Sequence, residues 1–113
     1  MAYRARKVAD LLKEEISLIL QREIKDPRID FITITNIKVS GDLKQAKVYF
    51  STFAAEHERN EILEALTHAS QFIRVELKKV VHLKYIPYLR FYVDDTFDYV
   101  NKIENLIDKT KEL

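Results

Sequence analysis

The 113-residue chain contains no cysteine, one glycine and two prolines. Without cysteine there is no disulfide, thiolate nucleophile, iron–sulfur cluster or cysteine-based zinc site. A single glycine leaves no glycine-rich loop to cradle a phosphate. So little glycine and proline also excludes collagen, low-complexity disorder and loop-rich scaffolds. No apolar run approaches the about 20 residues that span a bilayer. The basic start, Met1-Ala2-Tyr3-Arg4-Ala5-Arg6-Lys7, leads into an amphipathic helical pattern and not into the apolar core of a signal peptide. The expectation is one soluble domain, residues 1–113, in the cytoplasm.

What is present is charge, unevenly spread. The net charge is +1, which argues against a uniformly basic nucleic-acid binder. Between 54 and 67, however, Glu56, Glu58, Glu61 and Glu64 face only Arg59. Between 68 and 93, Arg74, Lys78, Lys79, Lys84 and Arg90 face only Glu76, and from 94 onward the chain turns acidic again. A local positive field between acidic flanks marks a polyanion-facing surface, although a lysine-rich solvated helix face carries the same charges.

Read for organisation, the chain has no repeat and no linker. Val8, Leu12, Ile16, Ile19 and Ile24, with Leu11 and Leu20, form the apolar stripe of a helix from about Ala5 to Lys25. Asp26-Pro27-Arg28 stops it, since the residue before proline is disfavoured in the helical region. Phe31 to Ser40 is β-branched at most positions and predicts a strand. Ile32 and Ile34 share one face whereas Ile37 and Val39 share the other, so the spacing predicts a bulge near Thr35-Asn36. Ser40-Gly41-Asp42 turns the chain into a return strand, Gln45 to Phe53, where Ala46, Val48 and Phe50 alternate with Lys47, Tyr49 and Ser51.

A long helix follows, from about Asn60, its expected N-cap, to Val81, with the stripe Ile62, Leu63, Leu66, Ala69, Ile73, Leu77 and Val80 or Val81. Its length suggests an internal break at the small pair Ala69-Ser70. Pro87 separates it from a third strand, Leu89 to Val93, and Phe97, Val100, Ile103, Leu106 and Ile107 predict a C-terminal helix. The order α-β-β-α-(kink)-α-β-α is an α+β sandwich with helices on one face of a three-stranded sheet. A right-handed crossover would set the third strand beside the first if those two are parallel.

Catalytic chemistry has little to build on. His57, His68 and His82 lack metal-ligand spacing, so neither a metal nor a cofactor is expected. Asp94 and Asp95 are adjacent and point to opposite faces of a strand, which suits capping better than acid–base work. A nucleic-acid surface has more. Arg74 and Lys78 share a helix face, Lys84 and Tyr85 pair a cation with a ring, and Arg90 and Tyr92 share the strand face opposite Leu89, Phe91 and Val93. Cations for phosphates and rings for stacking are what unpaired RNA needs.

Three stretches of the chain resemble the ribosome-binding factor A family. They are Asp26-Pro27-Arg28 with Ile32 to Ser40 and Asp42 to Tyr49, then Ala69-Ser70-Gln71-Phe72-Ile73-Arg74 with Leu77, then Leu83 to Phe91 with Asp94-Asp95. The resemblance implies a type II KH-like fold in which an Ala-x-Gly kink between two helices replaces the usual glycine-rich nucleic-acid loop. That kink falls on Ala69-Ser70-Gln71, with Gln71 where the family usually has glycine, which makes a left-handed conformation costlier. Lys84 stands where arginine is usual, and Tyr88 where glutamate is usual.

The implied function is late maturation and processing of small-subunit ribosomal RNA in a bacterium, linked to growth in the cold. It would involve binding to the free small subunit, without catalysis and as a monomer, with ribosomal proteins or assembly GTPases as further partners. The residues expected at the RNA are Arg4, Arg6, Lys7, Ala69, Ser70, Gln71, Arg74, Lys78, Lys79, Lys84, Tyr85 and Arg90. The competing expectation is a protein-interaction module or homo-oligomer that uses the sheet face and the acidic C-terminal helix.

Overall fold

The computed structural model describes residues 2–30 and 32–95. The expected C-terminal helix and the first residue of the expected first strand, Phe31, lie outside the described residues. In chain order the elements are α1 (Ala2–Arg22), β1 (Ile32–Val39), β2 (Gln45–Thr52), a short 3-10 turn (Glu56–Glu58), α2 (Arg59–Val80) and β3 (Tyr88–Val93).

α1 buries Val8, Ala9, Leu12, Ile16, Ile19 and Leu20 along one stripe. Leu11, expected to widen that stripe, is instead 37% exposed, because it lies on the turn's far side where Ala9 takes the inner position. After α1, the Asp26 carboxylate accepts the Arg28 backbone N–H at 3.0 Å and the Arg28 guanidinium at 2.8 Å. The Arg28 side chain holds the Asp26 carboxyl below its ordinary value. This tight turn delivers buried Ile29 to the core and aims the chain into β1.

β1 and β2 pair antiparallel, with a register shift between Ile34 and Asn36. Thr35 is the extra residue of that bulge, which lets both Ile34 and Ile37 reach the core. The Thr35 hydroxyl donates to Asp94 Oδ2 at 2.6 Å, fastening the bulge across the sheet to the end of β3. The hairpin turn falls where it was expected, between Val39 and Gln45. Its left-handed residue is Leu43 (φ 63°), and no glycine has positive φ. The turn is held by Asp42, whose carboxylate accepts from the Ser40 hydroxyl at 2.6 Å and from the Lys44 N–H at 3.0 Å. Leu43 tolerates the conformation because its side chain packs against the core.

β3 lies parallel to β2, and the sheet order is β1-β2-β3. The crossover through α2 therefore sets β3 beside β2 and not beside β1. The hairpin occupies one edge of β2, and the crossover needs to travel only one strand spacing to reach the other. α1 packs on β1, α2 on β3, and the two helices on each other, so together they cover one face of the sheet. Ile34, Ile37, Ala46, Val48, Phe50 and Phe91 meet Ile62, Ala65, Leu66, Ile73 and Leu77 there.

Two expectations for α2 change. The helix begins within the 3-10 turn, with Glu58 and not Asn60 at the N-cap and no side-chain cap. It also runs unbroken through Ala69-Ser70-Gln71 to Val80. The Ser70 hydroxyl donates to Thr67 O at 2.7 Å inside the helix, and Gln71, unlike glycine, favours continued helical backbone.

Candidate nucleic-acid interface

The basic segment of the sequence closes into a groove. α2 presents Gln71, Arg74, Val75 and Lys78 at helical spacing, and the loop after α2 brings Leu83, Lys84, Tyr85 and Ile86 opposite them. Tyr88, the first residue of β3, and Lys44, from the hairpin turn, complete a space of about 660 Å³. The Tyr88 N–H donates to Lys44 O at 2.9 Å, so strand pairing itself draws the turn into the wall. Among the described residues, Lys44, Arg74, Lys78 and Lys84 line this groove and no carboxylate does. A smaller groove lined by Pro27, Arg28, Thr52, Phe53, Ala54, Glu58, Glu61 and Ile62 contains two carboxylates and is the poorer polyanion site.

Within the basic groove the cations have different tasks. Arg74 Nε donates to Pro87 O at 3.1 Å, Nη2 to Ile86 O at 2.9 Å and Nη1 to Gln71 Oε1 at 3.1 Å. The face of its guanidinium lies 4.2 Å from the centre of the Tyr88 ring. Arg74 is thus a brace that ties the loop to α2, and Gln71 helps to orient it. Lys78, one turn further along, is exposed. Lys84 Nζ sits 5.5 Å from the Tyr85 ring centre, within cation–π range. Tyr85 and Tyr88 are 62% and 67% exposed, so their rings stand open to a ligand.

Of the residues expected at RNA, the structure brings Gln71, Arg74, Lys78, Lys84 and Tyr85 together. Ala69 and Ser70 are half-buried in α2 and do not line the groove. Lys79 turns aside into an ion pair with Glu76 at 2.9 Å. Arg4, Arg6 and Lys7 ride the first turns of α1 outside the groove, where Lys7 lies over the Tyr3 ring at 4.7 Å. Arg90 belongs to the other face of the sheet. Sequence reasoning missed Lys44 and Tyr88. Tyr88 had a signal, since it shares strand parity with Arg90, but Lys44 had none, because only long-range pairing places it.

No described helix is long and apolar enough to cross a membrane. Among the described residues no group of three or more His, Asp or Glu is placed to hold a metal ion.

Known proteins resemble this chain in sequence and in fold. The sequence model of the family described as "Ribosome-binding factor A" matches residues 4–107. A ribosome-binding factor A of Brevibacillus brevis is 44% identical over 104 residues, covering 92% of this chain and 86% of its own length. The crystal structure of ribosome-binding factor A from Thermus thermophilus matches 79% of this chain and 93% of its own at a TM-score of 0.71 and 24% identity. This likeness shows the α+β, KH-like fold. A Thermus thermophilus homology model fitted into a cryo-electron-microscopy map of a complex of 30S with ribosome-binding factor A matches at a TM-score of 0.61 and 25% identity. It covers 84% of this chain and 96% of that one.

Proposed function

The chain belongs to the ribosome-binding factor A family, and from that premise we propose that it binds the free small ribosomal subunit and its ribosomal RNA. In doing so it assists late maturation and processing of that RNA as a single-domain monomer in the bacterial cytoplasm. It performs no covalent chemistry: it shifts the particle toward one RNA conformer by binding that conformer more tightly. Family membership favours this reading over a protein-interaction module.

The observation that carries the proposal is the groove between α2 and the loop after it, lined among the described residues by four cations and no carboxylate, with two open tyrosine rings. Lys44, Lys78 and Lys84 would meet phosphates, and Tyr85 would stack on an unpaired base. Arg74 would hold the loop that carries them. With a net charge of +1, long-range attraction to naked RNA is weak, and selectivity comes from the shape of the assembled particle.

The test is co-sedimentation with free small subunits, large subunits and whole ribosomes over a salt series. The wild type should pellet selectively with free small subunits, and less so as salt rises. Lys78→Glu/Lys84→Glu should lose that pelleting while keeping its circular dichroism spectrum. Undiminished pelleting of the folded double variant would refute the groove.

A further inference from the structure

The basic surface continues beyond the groove, onto the face of the sheet opposite α1 and α2. Strand register sets Lys38 opposite Lys47 and Lys47 beside Arg90, one cation from each strand in a single row. All three are exposed. At strand spacing the row is about 10 Å long. Two residues along, and so about 7 Å away, Tyr49 and Tyr92 form a second row, with ring centroids 5.5 Å apart and an interplanar angle of 27°. Lys38 Nζ lies 5.5 Å from the Tyr49 ring centre, joining the two rows.

This arrangement has no role in the core. Val48, Phe50 and Phe91 on the opposite face supply that, and Lys38, Lys47 and Arg90 form no ion pair among the described residues. Of the described strand and strand-end positions with outward parity, only Asp94 carries a carboxylate. It lies at the far end and accepts the Thr35 hydroxyl. At the near end stands Tyr88, which has the same outward parity as Arg90 and Tyr92 and also lines the groove.

We propose that this open sheet face is a second RNA-contacting surface that receives an unpaired strand arriving from the groove past Tyr88. Its phosphates run along Lys38, Lys47 and Arg90, and its bases lie against the Tyr49–Tyr92 pair. Charge complementarity selects a polyanion, and a half-open stacked pair of rings selects one with flat unpaired bases over an acidic peptide. A sheet is suited to this because alternate residues stand on one side, so cations and rings form adjacent rows without any loop. The inference rests on the reading that the groove itself takes RNA.

The experiment uses the full chain, a short fluorescein-labelled oligouridylate read by anisotropy, and purified small subunits read by co-sedimentation, each across a salt series. Lys47→Ala/Arg90→Ala should reduce the slope of log affinity against log salt by about 1.4, or about 0.7 per lost phosphate contact on a single strand. Tyr92→Leu should weaken oligouridylate about tenfold with the slope unchanged, as expected for a lost stacking partner. Lys47→Arg, which keeps the charge, should bind as the wild type does, and all variants should keep the wild-type circular dichroism spectrum at the assay temperature.

If the sheet variants bind both probes like wild type while Lys78→Glu/Lys84→Glu fails to pellet, the sheet face is not an RNA surface and the groove reading stands. Loss of subunit pelleting with unchanged oligouridylate binding identifies a protein occupant and overturns the proposal. So does an absence of wild-type oligouridylate binding at low salt. Undiminished pelleting of both sets of variants refutes the groove as well.

Discussion

Arg74 separates a brace from a phosphate ligand, and Arg74→Lys tests which it is. The guanidinium makes two bonds to half-buried carbonyls, Pro87 O and Ile86 O, one to Gln71, and a facial contact with Tyr88. An ammonium retains the charge but reaches only one of the two carbonyls and loses the planar stack. One lost bond from a charged donor is worth about 1.5–3 kcal/mol, and the ring contact about 0.5–1 kcal/mol at an exposed site. A loss of about 2–4 kcal/mol is expected. Unfolding entropy near 2.1 cal/mol/K per residue makes that a fall of about 8–17 °C in thermal midpoint for a chain of this length.

The assay is thermal unfolding followed by circular dichroism, paired with small-subunit co-sedimentation over a salt series. A brace predicts the fall in midpoint with a salt slope unchanged below the melting range. A midpoint within 2 °C of wild type, together with a weaker affinity, would refute the reasoning and make Arg74 a direct ligand, as about one kcal/mol already moves a chain this size by several degrees.

Four other substitutions probe the scaffold. Leu66→Ala, at a fully buried contact of α2 with the sheet, should cost about 2–5 kcal/mol in urea unfolding, whereas Leu11→Ala should cost under about 1 kcal/mol. Thr35→Val should cost about 1.5–3 kcal/mol by the same assay, because the bulge loses its 2.6 Å bond to the Asp94 carboxylate while the side-chain shape is kept. Asp42 has its carboxyl held below 3.8, first by the Ser40 hydroxyl and then by the Lys44 N–H. A depressed folded value stabilises the chain above 3.8 and loses that contribution as pH falls through the folded value. The stability gap between wild type and Asp42→Asn should therefore be largest near neutrality and shrink below pH 3.8, and a gap independent of pH would contradict it.

Much of the architecture was legible because it is local. The strict alternation of Ala46, Val48 and Phe50 marked β2 and its buried face, and the parity slip between Ile34 and Ile37 located the bulge to within a residue. The stripe from Ile62 to Leu77 marked α2, and the acidic-to-basic change along it located the basic segment that lines one side of the groove. Local patterns also misled. Nothing local announced that Leu43 would take the left-handed position of the hairpin turn, a conformation its packing against the core sustains. Helix length suggested a break at Ala69-Ser70, but neither residue removes a backbone donor, so the ladder continues.

What the sequence determined by itself is therefore periodicity: which residues face inward, where strands bulge and turn, and which segment carries positive charge. These follow from side-chain spacing along one element, a property of neighbours in the chain. Only the tertiary structure decided that β3 lies on β2, and from that single pairing the rest follows. It draws Lys44 into the groove, aligns Lys38, Lys47 and Arg90 in one row, and brings Tyr49 against Tyr92. It also sets Ile86 and Pro87 where Arg74 is consumed in holding them. Contacts between residues far apart in sequence depend on which strand edge is free and how far a crossover must travel, and no local pattern of residues carries that information.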